Sequence, residues 1–514
     1  MKKVTLLFLV VMLEGLLFLG AGLCSAQEVQ RGGVLRFEYD WIPYVKDPAA
    51  DGVGTGNVAK NIAETLTWVD DQYQPHGLLC EKWEASPDGK EWTLYLRKGV
   101  TFNNGKPFTA DDVVWNFLHW LDPATGSSMR DRLSMLSPEG VEKVDDYTVK
   151  LHLDRPFYGI PWVLSAYPAM IAPEGGWKDF YSGNPEDAIG TGPFLLKEFI
   201  PNERMVLVRR NDYWRMGVDG KPLPYVDEVV ITPFADDAAR LAALVGDELD
   251  IVPGALGEGI IGELRKHPDI VVKTIDLPWS SPIMMRCDVE PFNNPLVRKA
   301  FKLVVDREKL RDLCMPEGRL AYDHWVHPMH EGYCPCTDMY YGKQDIEKAK
   351  ELLALAGYPD GLEVDLYTPN TPAHRPALAQ AYAEMAALAG IKVNVKILPS
   401  SVFWDKWMTW AFSVSGWSGR PLATDNLSLG CRCGAAWNEM YWCNEEFDRL
   451  LDEIEGTIDV QKRRELLCVA QRIMQEDSGM ILPFWNVDYM AYRKEVHGYS
   501  YVPMMFATVW LSSP

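Results

Sequence analysis

The sequence predicts an α/β protein, and three observations lead to that prediction. Trp92, Leu94 and Leu96 alternate with polar residues, which is the period of a β-strand. A turn at Asn104-Gly105 follows, and Thr109 then has the position of a helix N-cap. In the second half of the chain, helical segments interleave with strand segments, which is typical of α/β packing.

The first half of the chain contains both kinds of element in alternation. After Thr109, Asp112 is the acidic partner expected in a capping box, and the apolar residues that follow share one helical face. We also predict strands at 34–37 and 205–209, a strand pair over 144–153 with a turn at Asp145-Asp146, and helices at 57–66 and 237–245.

The second half is richer in helices. Pro295 stands at the first turn of a helix that begins after Asn294, and Asp345 caps another that stops at Gly357. Further predicted elements are helices at 377–389 and 460–475 and strands at 391–397 and 480–484.

The N-terminus has the pattern of a secretory signal peptide. Lys2 and Lys3 precede the apolar run Val4–Leu13, and Cys24-Ser25-Ala26 is a plausible cleavage tripeptide. We therefore expect residues 1–26 to be removed; a single-span anchor and lipidation of Cys24 are the alternatives. No later stretch reaches the ~18 apolar residues that a membrane-spanning helix needs, so we expect an exported, soluble protein.

Composition narrows the class of protein without identifying a ligand. The chain has 514 residues, of which 47% are hydrophobic and 24% are charged, values typical of a globular protein of two or three domains. Its net charge of -21 argues against nucleic acid or an anionic membrane as a partner. Many of the 19 Trp residues are expected in the core, but some could stack on a ligand.

An exported protein is expected in an oxidising compartment, where an odd number of cysteines leaves at least one thiol unpaired or intermolecular. Of 10 Cys, removal of Cys24 with the signal peptide would leave nine, an odd number. Two Cys-x-Cys pairs, Cys334/Cys336 and Cys431/Cys433, stand out, and Cys443 is near the second pair. Disulfides are expected in such a compartment, but the sequence leaves their connectivity open.

Five segments, taken in order, resemble the signature of a known family. They are 83–114, Gly190-Thr-Gly-Pro-Phe, Arg210-Asn-Asp-Tyr-Trp, the run 291–301 and the run 345–359. Each is weak alone, but together they cover nearly the whole mature chain. The chain resembles the large extracytoplasmic solute-binding proteins of ABC importers, the oligopeptide/dipeptide/nickel-type family (family 5).

This resemblance implies a fold and a division into domains. The family has a two-lobed periplasmic-binding-protein fold (type II-like, of the large cluster C type) with an extra subdomain inserted in lobe 1. Here it implies lobe 1 at 27–71, 189–284 and 486–514, the inserted subdomain at 72–188, and lobe 2 at 285–485. The chain would cross between the lobes near Met284–Cys287 and return near Trp485–Tyr489.

The resemblance also implies a ligand-binding loop, 412–421, built around Trp417. In peptide-binding members an Asp three residues after this Trp pairs with the α-ammonium of the peptide; here that position is Arg420. A guanidinium suits a carboxylate or phosphate and cannot pair with an ammonium. Alternatively, Arg420 pairs with an internal carboxylate such as Asp425 or Glu439, or the loop register differs by one residue.

Other residues near this loop complete the predicted site. Trp404 and Trp417 match aromatic positions of the family's cleft, and Trp437-Asn438-Glu439 offer a ring, an amide and a carboxylate for a polar organic ligand. The predicted ligand-binding residues are Trp417, Arg420, Trp437, Trp404, Asn438, Glu439 and Ser418. A merely packed loop is the alternative for the 436–439 segment.

Two other groups of residues give weaker indications of a functional site. His324, His327, His330, Cys334 and Cys336 could ligate Zn²⁺ or Ni²⁺, but Pro328 and Pro335 break any helix that would align them; a disulfide-tethered loop is favoured. The run 416–420 nearly matches a hydrolase elbow but has Arg420 where a small residue is needed. No phosphate-binding loop ending in Lys-Ser/Thr occurs, so this chain is not the ATPase.

We therefore expect a solute-binding protein of an ABC importer, periplasmic or extracytoplasmic and monomeric, with no cofactor or bound metal and no catalytic residue. It would enclose a peptide or peptide-like solute between its lobes and deliver it to membrane permease subunits powered by separate ATPase subunits. An anionic, opine-like or sugar-conjugate ligand held by Arg420 is the alternative. A sensor that binds the same ligand and, remotely, a secreted hydrolase are the rival functions.

Overall fold

A computed structural model describes residues 29–39, 46–50, 57–182, 184–234, 236–254, 256, 258–334, 343–502 and 505–513. The predicted signal peptide, 1–26, and Cys336 lie outside these residues. Within the described part of the chain, no helix combines the length and apolar character needed to cross a bilayer.

The first lobe is built on a sheet of eight strands. Its central strand, Val34–Glu38, pairs in parallel with Glu228–Thr232 and with Ile251–Val252. The other pairings are antiparallel, so the sheet is mixed. Its remaining strands are Phe194–Ile200, Arg204–Arg209, Ile270–Ser280, Arg319–Leu320 and Phe484–Arg493.

The second lobe is built on a separate sheet of five strands. Leu362–Pro369 and Ile391–Leu398 run parallel, and the helix His374–Ala387 connects them. That helix buries Leu378, Tyr382 and Met385 in the lobe's core, as expected for a crossover that covers a parallel sheet. The other strands are Ile283–Met285, Phe412–Val414 and Met480–Ile481.

A third sheet, of four antiparallel strands, forms a subdomain with its own core. Its strands are Cys80–Ala85, Glu91–Leu96, Leu136–Asp145 and Thr148–Leu153. The helix Ala110–Leu121 packs on it and buries Phe117 and Trp120 in a core that also contains Trp92. The capping box is present as predicted, and the Asp112 carboxylate accepts the Thr109 N–H at 2.9 Å.

Two short hairpins and the remaining helices complete the described structure. The hairpins pair Thr67–Val69 with Pro75–Gly77 and Val496–His497 with Trp510–Leu511. Further α-helices are Met129–Arg132, Ile160–Val163, Asp237–Val245, Glu258–Leu264, Pro295–Leu303, Arg307–Cys314, Ile346–Leu355, Ser400–Asp405, Ala423–Gly430, Glu445–Gly456 and Val460–Asp477. Short 3-10 helices are Pro48–Ala50, Pro123–Thr125, Tyr167–Ala169, Pro185–Asp187 and Trp407–Thr409. Interleaved helices and strands in two lobes with an added subdomain confirm the predicted fold class.

Two predicted elements are wrong in detail. The helix expected at 57–66 ends after Ala59, because the carbonyls of Asn61 and Ile62 accept the backbone N–H groups of Phe194 and Gly192 instead of continuing a helix. The strand expected at 480–484 is interrupted before Phe484. Pro483 has no N–H for a ladder, and the two halves join different sheets.

Apart from the two-residue strand Arg319–Leu320, which pairs with Phe484–Arg493 of the first sheet, the chain passes between the two sheets twice. It leaves the first sheet after Ser280 and enters the second at Ile283, and it returns between Ile481 and Phe484. Both passages lie a few residues before the predicted crossings, and the domain boundaries themselves stay a prediction. We call the first passage, residues 281–282, the outgoing crossing.

One disulfide is present among the described residues, between Cys433 and Cys443. It closes a short loop immediately before the helix Glu445–Gly456. The second Cys-x-Cys pair therefore contributes Cys433 to this bridge, whereas Cys431 is a buried thiol.

Candidate functional site

The loop that contains Trp417 is hydrogen-bonded to the outgoing crossing. The backbone N–H of Trp417 donates to the Ser280 carbonyl at 2.9 Å, and the Ser280 N–H donates back at 3.1 Å. The Ser415 N–H donates to the Pro282 carbonyl at 2.8 Å. The predicted binding loop thus lies where the chain changes from one lobe to the other.

Four indole rings form the floor of this region. The ring of Trp417, which is 7% exposed, has its centroid 4.3 Å from that of Trp325 and 6.1 Å from that of Trp437. Trp407 packs edge-on against the same ring. Trp437 is 46% exposed. Trp437 is therefore the most accessible ring of the cluster, with Trp407 partly exposed, and its face is suited to stacking on an organic solute.

Glu439 is the buried acid of the site. Its Oε1 accepts hydrogen bonds from Trp417 Nε1 at 2.7 Å and from Ser415 Oγ at 2.8 Å. Its Oε2 is buried and has no hydrogen-bond partner among the described residues. Burial raises the pKa of Glu439 to about 7, although these two donors and Arg375 oppose the rise. The buried carboxyl group thus holds its proton more tightly than a solvent-exposed glutamic acid does.

Arg375 is a site residue that the sequence analysis missed. Its guanidinium lies directly against the backbone of Gly416, where any Cβ would collide with it. It stands 5.5 Å from the ring centroid of Trp404, and its Nε donates to Ser281 Oγ at 3.3 Å. Burial lowers the pKa of Arg375 to about 10, and Glu439 partly opposes this. A positive group therefore faces the same region as the acid.

Ser281 connects Arg375 to both lobes. Its hydroxyl lies 2.8 Å from His374 Nε2 and accepts a hydrogen bond from Asn486 Nδ2 at 3.1 Å. Burial lowers the pKa of His374 to about 4, so its ring is neutral at physiological pH. No local sequence signal marks Ser281 or Asn486, because they meet only after the chain has passed through both lobes.

Arg420 lies at the other end of the indole floor. Its guanidinium carbon is 5.8 Å from the ring centroid of Trp437, and His330 Nε2 donates to its backbone carbonyl at 2.8 Å. Its Nε is buried and has no hydrogen-bond partner within the described residues. Burial lowers the pKa of Arg420, an effect that Asp425 opposes.

The two internal partners considered for Arg420 do not form ion pairs with it. Among the described residues, neither Asp425 nor Glu439 has a carboxylate oxygen within 4 Å of the Arg420 guanidinium. Burial raises the pKa of Asp425 to about 6, although Arg132 and Arg420 oppose this. Arg420 and Asp425 therefore influence each other at a distance rather than in direct contact.

The remaining predicted residues have different surroundings. Trp404 is half-buried beneath Arg375, whereas Ser418 is exposed and its carbonyl accepts from Asn426 Nδ2 at 3.3 Å. Asn438 is buried and donates to the carbonyls of Arg432 and Trp442. Its amide thus holds its own loop in shape. A ligand contact at any of these positions stays a prediction.

The three histidines of the discounted metal cluster shape a loop. His324, His327 and His330 are buried, and each accepts a backbone N–H of that loop at its Nδ1. Burial lowers the pKa of His324 and of His330 to about 3. Within the described ranges, no group of three or more His, Cys, Asp or Glu side chains is arranged to hold a metal ion.

Comparison with known proteins gives consistent matches. The model of a family described as bacterial extracellular solute-binding proteins, family 5 Middle, matches residues 74–438. The dipeptide-binding protein of Escherichia coli K12 is 28% identical over 462 residues, which cover 83% of this chain and 84% of that protein. Heme-binding protein A of Haemophilus influenzae is 29% identical over 465 residues, covering 83% and 81%.

A solved structure shares the fold. The ABC transporter-associated periplasmic binding protein DppA from Helicobacter pylori, in complex with the peptide STSA, superposes with a TM-score of 0.73 at 23% identity. The match covers 94% of this chain and 99% of that one.

Proposed function

Because this chain belongs to the bacterial extracellular solute-binding proteins of family 5, we propose that it captures a peptide between its two lobes for an ABC importer. The dipeptide-binding relative and the peptide-bound structural neighbour support a peptide as the ligand class. The observation that carries the proposal is the pair of opposite charges, Glu439 and Arg375, at the aromatic floor beside the outgoing crossing. A zwitterion offers both matching charges.

The acid that meets the peptide's ammonium differs from the one used by the peptide-binding members. Arg420 occupies the position of their Asp, and a guanidinium repels an ammonium. Glu439 is our candidate for this role, because its buried Oε2 lacks a partner among the described residues and an unpaired buried oxygen is costly. An ammonium placed there would favour the ionised carboxylate.

The site residues Trp417, Arg420, Trp437, Trp404, Asn438, Glu439 and Ser418, with Arg375 added, are proposed to surround the ligand. Lobe 1 would comprise 27–71, 189–284 and 486–514, with the subdomain at 72–188, and lobe 2 would comprise 285–485. The passages between sheets at 281–282 and 482–483 support a hinge there. Closure selects the liganded state because a bound solute contacts both lobes.

The proposed setting follows from the family. The protein is exported after removal of residues 1–26, acts as a monomer outside the cytoplasm, and delivers its ligand to permease subunits that separate ATPase subunits drive. It binds and releases the solute unchanged. A ligand recovered intact after long incubation supports this role, and turnover of the bound compound contradicts it.

Native mass spectrometry of the protein purified from its own extracytoplasmic compartment tests the ligand class. The expected result is a set of peptide masses that are released when the protein is denatured. The mass of the protein itself should correspond to a chain that starts near Gln27. A single non-peptide compound would contradict peptide capture while leaving the family assignment intact.

A second experiment tests Glu439 itself. Burial raises the pKa of Glu439, so an ammonium that favours the ionised form should release protons when the ligand binds near pH 7. Calorimetric titration of a bound peptide in two buffers of different ionisation enthalpy measures this release. Glu439→Gln should abolish it, and Glu446→Gln, at an exposed position, should not. Equal heats in both buffers would remove Glu439 from contact with the ammonium.

A further inference from the structure

The loop 321–334 is fastened to the helix Val460–Asp477 by a single buried side chain, that of Gln471. Gln471 Nε2 donates to the Gly332 carbonyl at 2.8 Å. Its Oε1 accepts the backbone N–H of Cys334 at 2.9 Å. One amide group therefore holds the end of this loop against the helix at two points.

A close backbone approach shows which part of the helix the loop touches. A Cβ added at Gly332 would lie 2.5 Å from Leu467 Cδ1 and 3.1 Å from Leu467 Cβ. Cys468 is the next residue of the helix, and Gln471 follows it three positions later. Side chains at that spacing are neighbours on a helix surface. Because Gln471 holds the backbone of Cys334, Cys334 lies beside Cys468.

The two thiols also interact with each other. Burial and a hydrogen bond with the Cys334 side chain raise the pKa of Cys468 to about 12. Both residues are partly exposed, whereas the thiols of Cys80, Cys314 and Cys431 are buried. A disulfide needs two Cα atoms about 4.4–6.8 Å apart, and a loop that lies directly on the helix surface can meet that requirement. Position and accessibility thus make these two thiols a pair that can be joined.

We propose that Cys334 and Cys468 form a second disulfide, which fixes the loop 321–334 to the helix Val460–Asp477. The oxidant is a low-molecular-weight disulfide, the class to which oxidised glutathione belongs. Cys468 holds its proton tightly, so the Cys334 thiolate attacks the small disulfide first and releases one thiol. Cys468 then gives up its proton, attacks Cys334 Sγ and releases the second thiol. For each bridge formed, one small disulfide is reduced to two thiols.

The bridge secures the loop that lies beneath the indole floor. This loop carries Trp325, whose ring centroid is 4.3 Å from that of Trp417. It also carries His330, whose Nε2 donates to the Arg420 carbonyl at 2.8 Å. A covalent link at the end of the loop 321–334 therefore restricts the support of the predicted binding loop without touching a ligand. This consequence rests on the proposed binding role, whereas the pairing of the thiols does not.

Peptide mapping of the oxidised full chain tests the bridge. The reduced protein is titrated with oxidised glutathione until the disulfide Cys433–Cys443, which serves as the internal reference, has formed. Remaining thiols are alkylated, and the protein is digested with trypsin. The reference bridge closes within the tryptic peptide 433–449. We expect a second bridge, which joins the peptide 320–343 to the peptide 465–472.

Variants assign the bond, because the peptide 320–343 contains both Cys334 and Cys336. Cys334→Ser should lose the linked peptide, and Cys336→Ser is the matched control that should keep it. Cys468→Ser should also lose it, and backbone amides of the loop 321–334 should then exchange with solvent faster than in the oxidised wild type. Reduction of both proteins should remove that difference. Circular dichroism of each variant checks that it is folded.

Each outcome either supports or overturns the bridge. A linked peptide in Cys336→Ser that is missing from Cys334→Ser supports it. Alkylated Cys334 and Cys468 in a sample whose Cys433–Cys443 bridge has formed overturn it. A linked peptide that persists in Cys334→Ser assigns the bond to Cys336 and overturns it as well. Ligand capture is tested separately by the masses released from the purified protein, so failure of the bridge leaves that proposal standing.

Discussion

The replacement Glu439→Gln should stabilise the protein at alkaline pH and have little effect at acidic pH. In the folded protein, burial raises the pKa of Glu439 from 4.5 to about 7. The folded state therefore holds this proton more tightly than the unfolded state does. As pH rises from about 4.5 towards 7, the unfolded chain ionises first, and the wild-type protein loses stability across that interval.

The size of this loss of stability follows from the difference between the pKa values of Glu439 in the unfolded and folded states. One pKa unit corresponds to about 1.36 kcal/mol, so the full loss by pH 8 is about 3 kcal/mol. Part of it is already present at pH 5, which leaves a change of about 2 to 3 kcal/mol between pH 5 and pH 8. The Gln oxygen can still accept the hydrogen bonds from Trp417 and Ser415, so the variant should escape the loss.

Urea denaturation at pH 5 and pH 8 measures this effect as the difference between wild type and variant at each pH. Glu446→Gln controls for the removal of one surface carboxylate. If the variant gains no stability relative to wild type between the two pH values, then Glu439 is ionised throughout in the folded protein. In that case Arg375 neutralises it fully, and the argument that it awaits an ammonium fails.

Three further changes test the packing of the chain. Cys443→Ser should cost about 3 kcal/mol of unfolding free energy by opening the ten-residue link to Cys433, and a reductant should erase its difference from wild type in urea melts. Asp112→Ala should lower the free energy of unfolding by about 3 kcal/mol, because the Asp112 carboxylate accepts hydrogen bonds from two backbone N–H groups and a lysine ammonium. An unchanged melting temperature would contradict a stabilising role for these three hydrogen bonds. Gly190→Ala should destabilise by about 1–3 kcal/mol through collision with a backbone carbonyl, whereas Gly262→Ala, in open space on a helix, should be neutral or stabilising by up to about 1 kcal/mol.

Local signals in the sequence predicted those elements whose causes are local. The Thr109 cap, with Asp112 three residues later, specifies the start of its helix without help from distant parts of the chain. Likewise, Asn294 caps and Pro295 opens the next helix that was predicted from its first turn. The fold class followed from the number and order of such elements.

The secondary-structure element that was predicted incorrectly near Ala59 depends on contacts with distant parts of the chain. The segment after Ala59 has apolar residues at helical spacing, and Ile62 is indeed buried, but its carbonyl bonds to Gly192 from a segment 130 residues away. The Gly190-Thr-Gly motif was visible in the sequence. Its reason is this close approach to the backbone of 61–63, and no local pattern reveals that contact.

The candidate site was predictable only through resemblance. The Trp417 loop could be located from the family, and the departure at Arg420 could be read from the sequence. Arg375 and Ser281 could not, because they come from separate segments that meet only at the outgoing crossing. The orientation of Asn438 towards its own loop likewise depends on the folded backbone.

The exposed ring of the indole floor allows ligand binding to be followed by the intrinsic tryptophan fluorescence of this protein. Indole fluorescence depends on the polarity around the ring, and Trp437 is the ring of the cluster that water reaches most easily. A solute that covers Trp437 displaces that water and moves its emission to shorter wavelength. Because the Arg420 guanidinium carbon lies 5.8 Å from the centroid of the same ring, a solute that contacts either side chain would change a single signal. Capture and release could thus be timed without an attached dye, with Trp437→Phe as the blank.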